Sequence, residues 1–139
     1  MRGATPLFWV DAKCNTEQQS PYLSGFMDTR SVGLKEILGK ELQIVLEGMA
    51  SLDLEYIIGD IGARALDGEN MQQGVKLTGY IPNYPSYPIM LEDIAEDNTL
   101  RIVFPDRNGH LPEDEDCEYP FNLQSASISM LQGVNGEFS

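Results

Sequence analysis

Residues 42–68 read LQIVLEGMASLDLEYIIGDIGARALDG and hold a strand followed by a helix, the junction from which the architecture can be read. Leu42 to Leu46 is apolar and partly β-branched, bounded by Lys40-Glu41 and by Glu47-Gly48, which predicts a buried strand. Ser51 then offers an N-cap, and Asp53 complements the dipole in the first turn. Leu54, Ile57, Ile58, Ile61 and Ala65 fall at helical spacing and form one apolar face. Asp60 and Arg64 stand four apart on the outer side, where they can pair. Asp67-Gly68 supplies the left-handed end. The main helix is therefore predicted over 51–67. Gly59 and Gly62 inside it each cost about 1 kcal/mol relative to alanine, and close packing against a sheet is the reading for both.

Upstream, Leu7 to Val10 follows Pro6 and predicts a short buried strand. Residues 11–24 are polar and read as a loop, and residues 25–33 (GFMDTRSVG) alternate weakly as a half-buried strand. Downstream, Val75 to Ile81 reads as a strand after the Gln73-Gly74 turn. The three prolines of residues 82–88 (PNYPSYP) exclude a helix there. Residues 89–97 (IMLEDIAED) suggest a short second helix with Ile89, Met90, Leu91 and Ile94 inward. Leu100 to Phe104 is a strand ended by Pro105, residues 105–120 form a long acidic loop, and residues 121–131 alternate as a last strand broken near Ser125. Strands and helices do not alternate regularly, so the prediction is α+β. It is a single domain over 1–132 with a flexible tail over 133–139. Its sheet is mostly antiparallel or mixed, with about five to six strands, one main helix (51–67) and a short second helix.

The chain has 139 residues and 42% hydrophobic content, enough to build a core without staples. Charge is its exceptional property. Twenty-two acids face nine bases, a net of −13. That excludes a general phosphate-backbone binder, so no direct nucleic-acid binding is expected, and it opposes adhesion to an anionic membrane. The charge is local. Glu92 to Glu118 holds ten acids and two arginines, a net of −8, whereas residues 1–70 carry only −5. No apolar run reaches about 18 residues, and Leu7–Val10 is too short for a signal-peptide core, so a cytoplasmic location is the default expectation. Cys14 and Cys117 read as two free thiols of a reducing compartment, with a disulfide as the open alternative.

The chemistry-bearing motifs are few. Gly33 to Glu41 glances at a phosphate loop, but the spacing is one residue too long and Glu41 stands where a magnesium-binding hydroxyl belongs. It reads instead as a turn leading into a strand. His110 is the single histidine and lies in a loop, with nothing in the sequence to set it beside Cys117. Glu113 to Asp116 is a run of four acids that does not fit calcium-loop spacing. Three readings of the acidic segment stay open: a solubilising loop, an electronegative docking face and a divalent-metal site. Tyr84 and Tyr87 sit in a rigid loop and can pack over the sheet edge or line an interface. Pro105-Asp106-Arg107-Asn108-Gly109 predicts a tight turn in which Asp106 accepts backbone amides, with Arg107 as a possible anion contact.

Val32-Gly33-Leu34, the strand opened by Glu41-Leu42, Leu66-Asp67-Gly68-Glu69, Gly74, the string Val103 to Gly109, Pro112 and Gln124 resemble, in order and spacing, the bacterial domain-of-unknown-function family 4262. The resemblance covers roughly residues 26–124. It implies a compact α+β fold and carries over no catalytic residue. The family tends to place tryptophan where Phe104 stands and an aromatic residue where Glu113 stands, so the acidic run belongs to this chain.

Three functions follow as expectations. The first is a non-enzymatic binding protein that occupies a partner with a basic face. By analogy of class, it would be an inhibitor of a host protein encoded by a phage or mobile element. Its face would comprise Glu92, Asp93, Glu96, Asp97, Glu113, Asp114, Glu115, Asp116 and Glu118. The second is a nucleotide-binding or sequestering protein, with Arg30, Arg101 or Arg107 on phosphate, Tyr84 or Tyr87 stacked on the base, and His110 beside them. The third is an enzyme using carboxylates and His110. No cofactor and no resident metal are expected.

Overall fold

Two parallel strands, β3 (Glu41–Leu46) and β6 (Thr99–Val103), lie side by side at the centre of the sheet. The computed structural model describes residues 9–14, 27–46, 54–119 and 121–131. β1 (Trp9–Cys14) and β2 (Met27–Val32) extend the sheet antiparallel from β3, and β5 (Ile89–Ile94) and β4 (Lys76–Leu77) extend it antiparallel from β6. The order is β1-β2-β3-β6-β5-β4, a mixed six-stranded sheet. A short helix α1 (Lys35–Leu38) precedes β3, and the main helix α2 (Leu54–Leu66) follows it. The domain is α+β, as the mixture of elements predicts.

Side chains alternate across the strands, so each buried strand serves two faces. Leu42 and Ile44 of β3, Leu100 and Ile102 of β6, and Ile89 and Leu91 of β5 join Ile57, Ile58, Ile61 and Ala65 of α2 in one core. The helix ends as its sequence dictates. Gly68 takes φ 95°, and its N–H and that of Glu69 reach back to the carbonyls of Ala65 and Arg64. Ser51 and Asp53, the predicted cap and first turn, lie outside the described residues. The expected Asp60–Arg64 pair is replaced by a bridge. The Tyr80 hydroxyl donates to Asp60 and accepts from Arg64 (2.9 Å), while Arg64 pairs with Glu69 at 2.8 Å. Burial and the Asp60 contact raise the Tyr80 pKa.

The two helical glycines separate. Gly62 is buried, as close packing requires. A Cβ on Gly59 would meet nothing within 4 Å, so packing does not explain that residue. Gly59→Ala should therefore raise stability by about 1 kcal/mol through the helix propensity alone. The check is the denaturant midpoint at unchanged slope, and a lower midpoint would contradict it.

Four predicted segments need correction. Residues 89–94 form strand β5, not the second helix. Both its faces are covered, so Ile89, Met90 and Leu91 are all buried and the period-two signal disappears. The hairpin turn to β6 has its own chemistry, with Asn98 at φ 54°. Residues 121–131 are a 3-10 turn (Phe121–Leu123) and a short helix α3 (Ile128–Leu131), not a last strand. The expected strand over 75–81 shrinks to Lys76–Leu77, and residues 11–14 of the predicted loop over 11–24 belong to strand β1, while 15–24 lie outside the described residues. The tail 133–139, like Leu7 and Phe8 of the first predicted strand, falls outside the described residues.

The apparent phosphate loop is already filled by an anion of its own. The Glu41 carboxylate accepts the N–H groups of Gly33 (3.0 Å), Leu34 (3.1 Å) and Lys35 (3.2 Å) and the Ser31 hydroxyl (2.7 Å). Burial opposes its ionisation, but these four donors outweigh burial and hold the pKa below the usual carboxylate value. No helix among the described residues is long and apolar enough to cross a membrane.

The sheet face opposite α2 is polar at its centre. Arg30 stands opposite Gln43, Gln43 opposite Arg101, and Arg101 opposite Glu92, so one row crosses β2, β3, β6 and β5. Residues 121–131 cover this row as a strap. Beside it, Leu111 of the long loop packs on Met90 and Val103 in a second apolar cluster. Each such buried side chain contributes roughly 1.5–3 kcal/mol, which fixes the loop to the sheet.

Candidate functional site

The sheet end at which β5 begins and β6 finishes gathers four of the motifs. Pro105 and Asp106 leave β6 directly, and the Asp106 side chain is fully buried. Its carboxylate accepts three main-chain N–H groups, from Asn108, His110 and Glu118, each at 2.9 Å. Burial alone would raise its pKa, but these donors outweigh it and the carboxyl titrates below its usual range. One buried charge thus closes the tight turn and also ties residue 118 back to it, twelve positions away. That group closes the two ends of the loop that carries the acidic run, while Leu111 and the Lys76–Glu113 pair hold the loop to the sheet.

The aromatic loop rests on this turn. Tyr84 and Tyr87 stack with ring centroids 4.7 Å apart and planes 17° apart. A Cβ on Gly109 would lie 3.1 Å from the Tyr87 ring, and Gly109 has φ 85°, so both space and backbone require glycine there. The Tyr87 hydroxyl donates to the Arg107 carbonyl at 3.4 Å. Tyr84 is 50% exposed, an uncommon state for a ring fixed on one side by a stacked neighbour and held in a proline-rich loop.

His110 joins the same cluster. Its Nδ1 lies 3.6 Å from the Asp106 carboxylate and is buried without a hydrogen-bond partner, while the ring as a whole is 35% exposed. Cys117 is a buried free thiol whose Sγ donates to the His110 main-chain carbonyl at 3.2 Å. Burial and the charges of Asp106, Asp114 and Glu118 push the thiol up to about 11. A nucleophilic cysteine needs the opposite shift, and this thiol faces the histidine's backbone and not its ring.

The nine acids expected to form one face fall into two groups. Glu92, Asp93, Glu96 and Asp97 sit at the β5–β6 turn, whereas Glu113 to Glu118 lie at the other end of that hairpin. Within the first group, Asp97 pairs with Arg101 and accepts the Ile128 N–H, Asp93 pairs with Lys40, and Glu92 accepts the Ser125 hydroxyl. Glu96 is exposed and has no cation partner. In the second group Glu113 pairs with Lys76 (2.9 Å) and Glu118 with Arg107 (3.0 Å). Asp114 uses one oxygen to accept the Asp116 N–H, and Glu115 and Asp116 are exposed. Among the described residues, Asp114, Glu115 and Asp116 are left without a cation. Among the described residues, no three metal-ligating side chains converge.

The three arginines do not meet the tyrosines as a phosphate site. Arg101 has no exposed side-chain area and is consumed by the strap, through Gln43, Asp97 and the carbonyls of Gln124 and Ala126. Arg30 is bidentate on Asp28. Arg107 borders Tyr87, but its guanidinium is held by Glu118.

Sequence reasoning missed two organisers. Gln124 donates to and accepts from the Phe104 main chain (2.7 and 2.8 Å), taking the place of a neighbouring strand. Gln43 joins Asp28, Thr99 and Arg101 through one buried amide. The visible signal was a glutamine in a strand otherwise made of apolar residues. No family model, curated protein or solved structure matches the chain.

Proposed function

We propose that the protein is a non-enzymatic binding protein that occupies a partner with a basic face. Its contact surface is the end of the sheet formed by residues 82–88 and 105–118. The observation that carries this reading is a fixed display. The carboxylates of Asp114, Glu115 and Asp116, without a cation among the described residues, stand on a loop pinned by Asp106, and the Asp106 turn at the root of that loop carries Tyr87 with the half-exposed Tyr84 stacked on it. A rigid loop loses little entropy on binding, and tyrosine buries a large area at low rotamer cost. The carboxylates speed encounter with a cationic surface and reject acidic ones. Inhibition by occupancy is the activity such a surface performs.

The test is titration with a lysine- and arginine-rich peptide at low and high salt. The Glu115→Lys/Asp116→Lys double variant should weaken binding by at least about tenfold, or 1.4 kcal/mol. Both side chains are exposed and neither has an ion-pair partner among the described residues, so the fold should be unaffected. Affinity should fall steeply with salt. Unchanged affinity at low salt after reversal would end this reading.

A second reading rests on the His110–Asp106 pair. A buried carboxylate beside Nδ1 is the arrangement that orients a general base. His110→Ala separates the two, since peptide binding survives that change only under the first.

A further inference from the structure

The two edges of the sheet are built differently. β4 is two residues long and carries Lys76, the short, charged form by which sheets protect an edge. β1 has six residues and, among the described residues, a neighbouring strand on one side only. A sheet edge of that length presents a row of backbone donors and acceptors. We propose that it pairs with β1 of a second copy of this chain, antiparallel about a two-fold axis, so that two sheets become one.

The sequence of β1, WVDAKC, selects the register. With the axis perpendicular to the sheet, residues of the same face must meet, so paired positions share parity. Four registers then centre on the strand, and centring on Val10 sets Asp11 opposite Trp9, with no charge to meet it. Centring on Asp11 sets two Asp11 residues opposite each other, and centring on Lys13 does the same with lysine. Like charges directly opposite are destabilising. Centring on Ala12 sets Asp11 opposite Lys13 of the second copy, twice by symmetry, with Val10 opposite Cys14 and Ala12 opposite Ala12. Only this register has complementary charges at both positions. The same alternation already matches β2, where Asp11 stands opposite Arg30 and Lys13 opposite Asp28.

The experiment uses the full chain. Light scattering on the eluting protein should give twice the monomer mass of 15.5 kDa. In a Cys14→Ser background, Ala12→Cys should form a disulfide-linked dimer under mild oxidation, since directly opposed residues are about 4.5–5.5 Å apart at Cα. Asp11→Cys should not, because its symmetry mates are two positions out of register, about 8 Å apart. A monomer mass at the highest soluble concentration overturns the proposal. So does a dimer that crosslinks through residue 11 as readily as through residue 12, or through neither. Should Ala12→Cys fail to fold, the mass of the unaltered protein still decides.

Discussion

Arg101→Ala should destabilise the fold by about 3–5 kcal/mol, the range found when one partner of a buried ion pair is removed. The guanidinium has no exposed area and holds four acceptors: Gln43 Oε1 (3.0 Å), the Gln124 carbonyl (2.8 Å), the Ala126 carbonyl and Asp97. Burial lowers its pKa, and the charges of Asp97, Asp28 and Glu92 work against that shift. Truncation removes the cation paired with Asp97 and nearest to Glu92, while Asp28 keeps Arg30, and it orphans two carbonyls of the strap. Lysine would not restore the site, because a point charge cannot span the fork that joins β3, the hairpin turn and the strap. Denaturant unfolding measures the loss, and amide exchange should show residues 121–131 released first. A loss below about 1 kcal/mol would mean that the strap is held by its apolar contacts alone.

Asp106→Asn should cost about 2–3 kcal/mol, the worth of a hydrogen bond to a charged group in a buried setting. One amide oxygen can still serve Asn108 and His110, but the new NH2 faces the Glu118 N–H, so the far end of the loop detaches. Peptide binding should weaken with it even though residue 106 is buried. The pH dependence has a definite sign. A carboxyl whose folded pKa is depressed stabilises the fold above its unfolded value, here 3.8, and the stabilisation is lost as pH falls through the folded pKa. Asp106→Asn should therefore flatten the acid limb of the stability curve. Glu41, depressed by its own four donors, would supply what slope remains. An unchanged acid limb in the variant would contradict this assignment.

Local rules read part of this fold from the sequence and failed at identifiable places. The strand at Leu42–Leu46 and the helix ended by Gly68 were legible because one apolar face and one turn residue declare them. β5 was not, because sheet packing on one side and Leu111 on the other buried consecutive residues and erased the alternation. The strap was misread for a different reason. Its alternation is real, but Gln124 satisfies the Phe104 main chain with a side-chain amide, so no strand is needed there. At the site, the turn at Asp106 could be read from Pro-Asp-Arg-Asn-Gly. Its bond to Glu118 could not, since a contact across twelve residues leaves no periodic trace. The acidic segment looked continuous in sequence. The hairpin divides it, and among the described residues Glu96 of the first half and Asp114, Glu115 and Asp116 of the second are without a cation, with only the second half joined to the turn that carries the tyrosines.

The most direct measurement is a nitrogen–proton NMR titration of the full chain with a lysine- and arginine-rich peptide. The account predicts shift changes concentrated at Tyr84, Tyr87 and residues 107–118, saturating together and abolished by Glu115→Lys/Asp116→Lys. Changes centred on Glu92 to Asp97, or no saturable change at low salt, would contradict it.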